Sequence, residues 1–85
     1  MMTLSVTGIN KLQRDVFKGC CIDMEMEYHS VVNEYTDYLI TNDKNSRSSQ
    51  MLKAKKYGAK IINYDEFMLM VLDNMIEDIN ETIHN

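Results

Sequence analysis

The chain has 85 residues, 45% of them hydrophobic and 26% charged, with a net charge of −4. That length holds one small domain, which on folding buries about 60% of the surface of its unfolded chain, and the ordinary composition excludes a disordered segment or a low-complexity fibre. No apolar run approaches the roughly 20 residues that span a bilayer, and the opening Met1 to Val6 lacks the basic-then-apolar layout of a signal peptide. An intracellular chain without a membrane partner is therefore expected, cytoplasmic in a bacterium or nuclear in a eukaryote.

Leu4, Val6 and Gly8 alternate with Thr3, Ser5 and Thr7, the period of a short strand. Leu12, Val16, Phe17, Cys20 and Met24 then fall at helical spacing, so a helix is expected over Asn10 to Met24 with Asn10 as its N-cap. Tyr28 to Val32 is a second strand candidate, followed by the polar link Asn33-Glu34-Tyr35. Tyr38-Leu39-Ile40 is a continuous apolar run, the signature of a strand covered on both faces.

A polar loop over Thr41 to Ser49 leads into a second helix that Ser48-Ser49 can cap and Gly58 can stop after Tyr57. Ala59 to Ile62 reads as a fourth strand. Asn63 followed by Glu66 resembles a capping box opening a long third helix to about Ile83. The order is β-α-β-β-α-β-α. Helices that separate strands make crossover connections, so the expected fold is α/β: a small four-stranded, mainly parallel sheet with helices on both faces. Residues 1–73 would form the single domain, and residues 74–85 an extension of the last helix with its tail.

Charge is unevenly spread. Lys44, Arg47, Lys53, Lys55, Lys56 and Lys60 span a stretch without an acid, whereas Asp65, Glu66, Asp73, Glu77, Asp78 and Glu81 occupy a stretch without Lys or Arg. The first stretch suits a polyanion although the whole chain is acidic; the alternative is an ordinary solvated face.

The strings Thr36-Asp37-Tyr38-Leu39-Ile40, Ser48-Ser49, Lys53-Ala54-Lys55-Lys56-Tyr57-Gly58-Ala59-Lys60-Ile61-Ile62 and Asp65-Glu66-Phe67, in this order, resemble the BRCT domain. The branch most similar is that of bacterial-type NAD-dependent DNA ligases and the replication factor C large subunit. Val6-Thr7-Gly8 followed by an Arg in the first helix fits the same pattern, and the resemblance runs from residue 3 to about residue 73. It implies a non-catalytic module of a ligase or of a replication or repair protein. Phosphate-binding members offer a Thr-Gly turn, an Arg of the first helix and a Lys near the start of the second. Thr7, Gly8 and Arg14 answer to the first two, and Gln50 stands where the Lys would be. A Gly-Gly pair usual before the second strand is replaced by Met24-Glu25-Met26-Glu27.

A phosphate site at Thr7 and Gly8 also has its own physical basis, since a strand end that runs into a helix start presents backbone N–H groups and the positive end of a helix dipole. Lys11 and Arg14 follow within about a turn, and Arg47 with Lys44 comes from the loop before the second helix. The partners so implied are DNA ends or nicked DNA carrying a 5′-phosphate. A patch of a few bases binds weakly by itself and gains from attachment to a larger ligase body. The competing reading is a protein-interaction or homodimerisation module. Leu69, Leu72, Ile76, Ile79 and Ile83 are spaced 3, 4, 3 and 4, an apolar seam that must be covered by the chain itself, a second copy or a partner. Phosphopeptide binding, with Thr7 and Lys53 as candidates, would need a second BRCT unit in tandem.

Catalysis finds little footing. His29 and His84 are isolated, and Cys20 and Cys21 are adjacent and lie inside the first helix, where nothing lowers a thiol pKa. No Walker-type loop, nucleophile elbow, metal-ligand spacing or cofactor motif occurs. Neither catalytic residue, metal nor cofactor is expected.

Overall fold

The computed structural model describes the backbone of residues 1–84 and the side chains of residues 1–75. Its elements are β1 (Thr3–Thr7), α1 (Lys11–Asp23), β2 (Glu27–Tyr28), β3 (Tyr38–Thr41), α2 (Ser49–Tyr57), β4 (Lys60–Asn63) and α3 (Tyr64–His84). The strands form a four-stranded sheet in the order β2-β1-β3-β4. All three pairings are parallel, with Thr7 opposite Thr41 and Thr41 opposite Asn63 at the carboxyl edge. The α/β fold expected from the element order is thus the one observed.

Two apolar clusters cover the two faces of the sheet. On one face Phe17 and Cys21 of α1 and Phe67 and Val71 of α3 pack with Leu4, Val6, Ile40 and Ile62. On the other, Met51 and Ala54 of α2 pack with Leu39, Ala59 and Val32. Successive strand residues point to opposite faces, which is why Leu39 and Ile40, adjacent in sequence and both fully buried, serve different clusters.

Helix α1 turns a different side inward from the one its apolar spacing suggests. Phe17 and Cys21 are buried, Cys20 and Met24 half-buried, whereas Leu12 is 74% exposed and Val16 also faces solvent. At about 3.6 residues per turn, positions 17, 21 and 24 share one arc, and Leu12 falls nearly opposite it.

The second strand is also shorter than Tyr28 to Val32. His29 N–H gives the last backbone bond to β1, at Leu4 O (2.8 Å), its own carbonyl accepts from Ser5 Oγ (2.7 Å), and the chain then leaves the sheet. Val32 is buried by the α2 cluster and not by strand pairing: its N–H donates to Gln50 Oε1 (2.9 Å), while Gln50 Nε2 donates to Ser30 O (3.2 Å). Gln50→Ala strands a buried donor, and the expected cost is about 1–3 kcal/mol. Urea unfolding measures it, and a loss below about 0.5 kcal/mol would show that this clasp holds nothing.

Where the resemblance leads one to expect two glycines, α1 ends in a Schellman motif built on Glu25. Met26 N–H bonds to Cys21 O (2.8 Å) and Glu25 N–H to Ile22 O (3.4 Å), with Glu25 at φ +54°. The left-handed region burdens a side chain carrying a Cβ, and only part of that cost returns through the extra unfolded-state entropy of glycine. Glu25→Gly is expected to stabilise by about 0.5–1 kcal/mol, a rise of about 3–6 °C in Tm. A lower Tm would refute this account of the turn. Helix α2 ends in the ordinary way, with Gly58 at φ +80° donating to Ala54 O.

Candidate nucleic-acid interface

The strand order reverses direction between β1 and β3, because α1 carries the chain outward to β2 on one side and α2 carries it to β4 on the other. In open parallel sheets ligands settle outside the carboxyl ends of the strands at such a switch point. Here that edge is built from the Thr7-Gly8 turn, the start of α1, and the loop between Thr41 and Ser48.

Gly8 sits at φ +61°, the left-handed bend that turns β1 into α1, and a Cβ there would meet Thr41 Oγ1 at an ordinary 3.5 Å. Its glycine requirement is thus conformational. Asn10 caps α1 reciprocally: its Oδ1 accepts from Gln13 N–H (2.8 Å), and Gln13 Oε1 accepts from Asn10 N–H (3.0 Å). The same Gln13 amide clasps Asn42 just beyond β3, accepting from Nδ2 (2.7 Å) and donating to Oδ1 (3.2 Å). The helix start is thereby fastened to the neighbouring strand end, and no acid occupies its first turn.

The following loop organises itself. Thr41 Oγ1 accepts from Asp43 N–H (3.1 Å), Asp43 Oδ1 from Asn45 N–H (2.9 Å), and Ser46 Oγ from Ser48 N–H (3.2 Å). Ser48 then caps α2 through Met51 N–H. Arg47 is exposed between these two serines. Lys44, from the same loop, is ion-paired with Glu66 at the start of α3. The Lys44 ammonium and the Asn63 N–H hold the Glu66 carboxyl below the usual carboxylate range.

The structure therefore gathers Thr7, Gly8, Lys11 and Arg14 on one strand-to-helix transition and sets Arg47 in a loop of the same edge. Lys11 is exposed and Arg14 half-buried, and among the described residues Lys11, Arg14 and Arg47 form no ion pair. Gln50 is committed elsewhere, to Ser30 and Val32. The Asn10-x-x-Gln13 spacing carried the signal for the α1 capping box. Nothing local announced Asn42, whose partner lies 29 positions away.

On α3, Leu69 is 61%, Leu72 49% and Met75 51% exposed. Ile76, Ile79 and Ile83, the remainder of the seam, lie outside the described side chains. Two concavities flank the C-terminal half of α1, one of about 290 Å³ lined by Lys18, Cys21, Ile22, Met26 and Tyr28, the other of about 210 Å³ against Val71 and Met75 of α3. Burial pushes the Cys21 thiol up to about 11, the neighbouring Cys20 adding to it, so it is protonated at neutral pH. His29 is locked locally, with Nδ1 3.1 Å from Asn33 Nδ2 and Nε2 3.5 Å from Glu27 Oε1. Among the described residues no cluster of His, Cys, Asp or Glu could hold a metal ion, and no helix is long and apolar enough to cross a membrane.

This chain is similar to part of a DNA ligase. The ligase, from Thermosipho africanus (strain TCF52B), is 34% identical over 73 residues, 85% of this chain. The chain spans only 11% of the length of that relative. No family model matches the chain.

Proposed function

We propose that the chain is a non-catalytic BRCT module of a DNA ligase or of a DNA replication or repair protein, which helps hold DNA ends or nicks by their 5′-phosphate. In this reading residues 1–73 are the domain and residues 74–85 its extension, working inside the cell where DNA is. The observation that carries the reading is the placement of Thr7, Gly8, Lys11 and Arg14 where β1 becomes α1, at the switch point of the sheet. The similarity to a small part of a ligase supports it, because so short a segment is an accessory to the larger enzyme. Backbone N–H groups and the α1 dipole favour an anion there, and the Arg14 fork can donate two parallel bonds to phosphate oxygens. Binding by the isolated chain is weak and salt-sensitive, and it strengthens when a ligase body supplies high local concentration.

The test is an NMR titration with a short duplex that carries or lacks a 5′-phosphate. Amide shifts at Thr7, Gly8, Arg14 and the Ser48 helix start that require the phosphate are expected. Equal shifts with both duplexes would refute specific end recognition.

The exposure of Leu69, Leu72 and Met75 favours a second reading, a protein-interaction or homodimerisation surface on α3. It requires a mass that rises with concentration, or a partner lost in Leu72→Asp. A constant monomeric mass together with unchanged partner binding in that variant would exclude it.

A further inference from the structure

Helix α2 buries Met51 and Ala54 and turns Leu52, Lys53, Lys55, Lys56 and Tyr57 to solvent. Lys60, at the start of β4, alternates with Ile61, which packs on the α2 cluster, and so lies on the α1 and α3 face of the sheet with Ile62, outside this strip. Lys56 Nζ lies 5.1 Å from the centre of the Tyr57 ring. Neither α2 nor the strands it packs against, β3 and β4, contains a carboxylate; the acids nearest α2 in sequence are Asp43, whose Oδ1 accepts from Asn45 N–H in the preceding loop, and Asp65 in the first turn of α3. The face is thus a cationic strip on the opposite side of the sheet from α1 and α3.

We propose that this α2 face, through Lys53, Lys55 and Lys56, is a second nucleic-acid contact that grips the phosphodiester backbone of the duplex behind the bound end. The proposal rests on the end-binding reading and deepens it. Its chemistry favours a backbone because the three groups are lysines, compact point charges without the directional fork of arginine, and such groups position a duplex without reading its sequence. Length agrees: Lys53 to Lys56 span about 4.5 Å of helix axis, and one strand presents a phosphate every 3.4 Å or so of duplex axis, so the lysines lie beside about two neighbouring phosphates. Continuity agrees too. Arg47 precedes the α2 cap at the carboxyl edge, so a strand anchored at Thr7-Gly8 can pass directly onto α2.

The experiment measures the affinity of the full chain and of the double variant Lys53→Gln, Lys56→Gln for one duplex, with and without its 5′-phosphate, over a range of salt. Glutamine keeps the helix propensity and the exposed positions leave the core untouched, which a thermal melt checks. The slope of log affinity against log salt is expected to fall by about two, equally for both duplexes, with their affinity ratio unchanged. The end-binding reading fails separately, in the ratio: a ratio near one in the unaltered chain removes the phosphate site while the slope still reports on α2. An unaltered slope in the double variant overturns the proposal. So does a loss confined to an acidic peptide or to self-association, which would assign the strip to a protein partner such as the acidic α3 of a second copy.

Discussion

Phe17→Ala is expected to destabilise the chain by about 3–5 kcal/mol, enough to approach the whole stability of a domain this small. Phe17 is fully buried and joins three elements: its ring stands edge-to-face against Phe67 of α3 at 5.3 Å and against Tyr28 of β2 at 5.6 Å. Truncation removes both aromatic contacts and opens a cavity that the sheet cannot close, because Leu4, Val6 and Ile40 are fixed by parallel pairing. Leu12→Ala, on the same helix at 74% exposure, is expected to change stability by no more than about 0.5 kcal/mol. Urea unfolding of the two variants compares them directly, and similar losses would show that α1 docks by another face.

That pair of residues also marks what the sequence makes legible. Helix α1, its Asn10 cap, the Ser48 cap and Gly58 stop of α2, and the Asn63–Glu66 box of α3 all follow from local chemistry, and each is present. Which face of α1 turns inward does not follow, because Leu12 and Val16 are as apolar as the residues that are buried, and the choice is made by the position of Phe67 and Tyr28 across the core. The second strand fails for a related reason. The apolar Val31-Val32 pair looks like sheet, but Val32 is claimed by α2 through Gln50 and Met51, an interaction invisible at short range. Of the candidate site, the Thr7-Gly8 turn and the cations of α1 can be read from spacing. The Gln13–Asn42 clasp, which fixes that turn against β3, and the diversion of Lys44 to Glu66 depend on contacts between distant segments.

Arg14→Ala is expected to erase the preference for a 5′-phosphorylated duplex. A charge-assisted bond to phosphate contributes about 1.5–3 kcal/mol, so the affinity ratio between phosphorylated and unphosphorylated duplexes should fall by roughly tenfold to hundredfold. Arg14 is suited to this because it is half-buried, on the first turn of a helix whose own N–H groups at Asn10 and Gln13 are already satisfied. Its guanidinium pairs with no carboxylate among the described residues. Arg14→Lys keeps the charge and loses the planar fork, and should retain only part of the ratio. The readout is the ratio and not affinity alone, since a general loss of positive charge lowers binding to both duplexes together. A ratio preserved in Arg14→Ala would place phosphate recognition on other groups of that edge, with Lys11 and Arg47 the next to substitute.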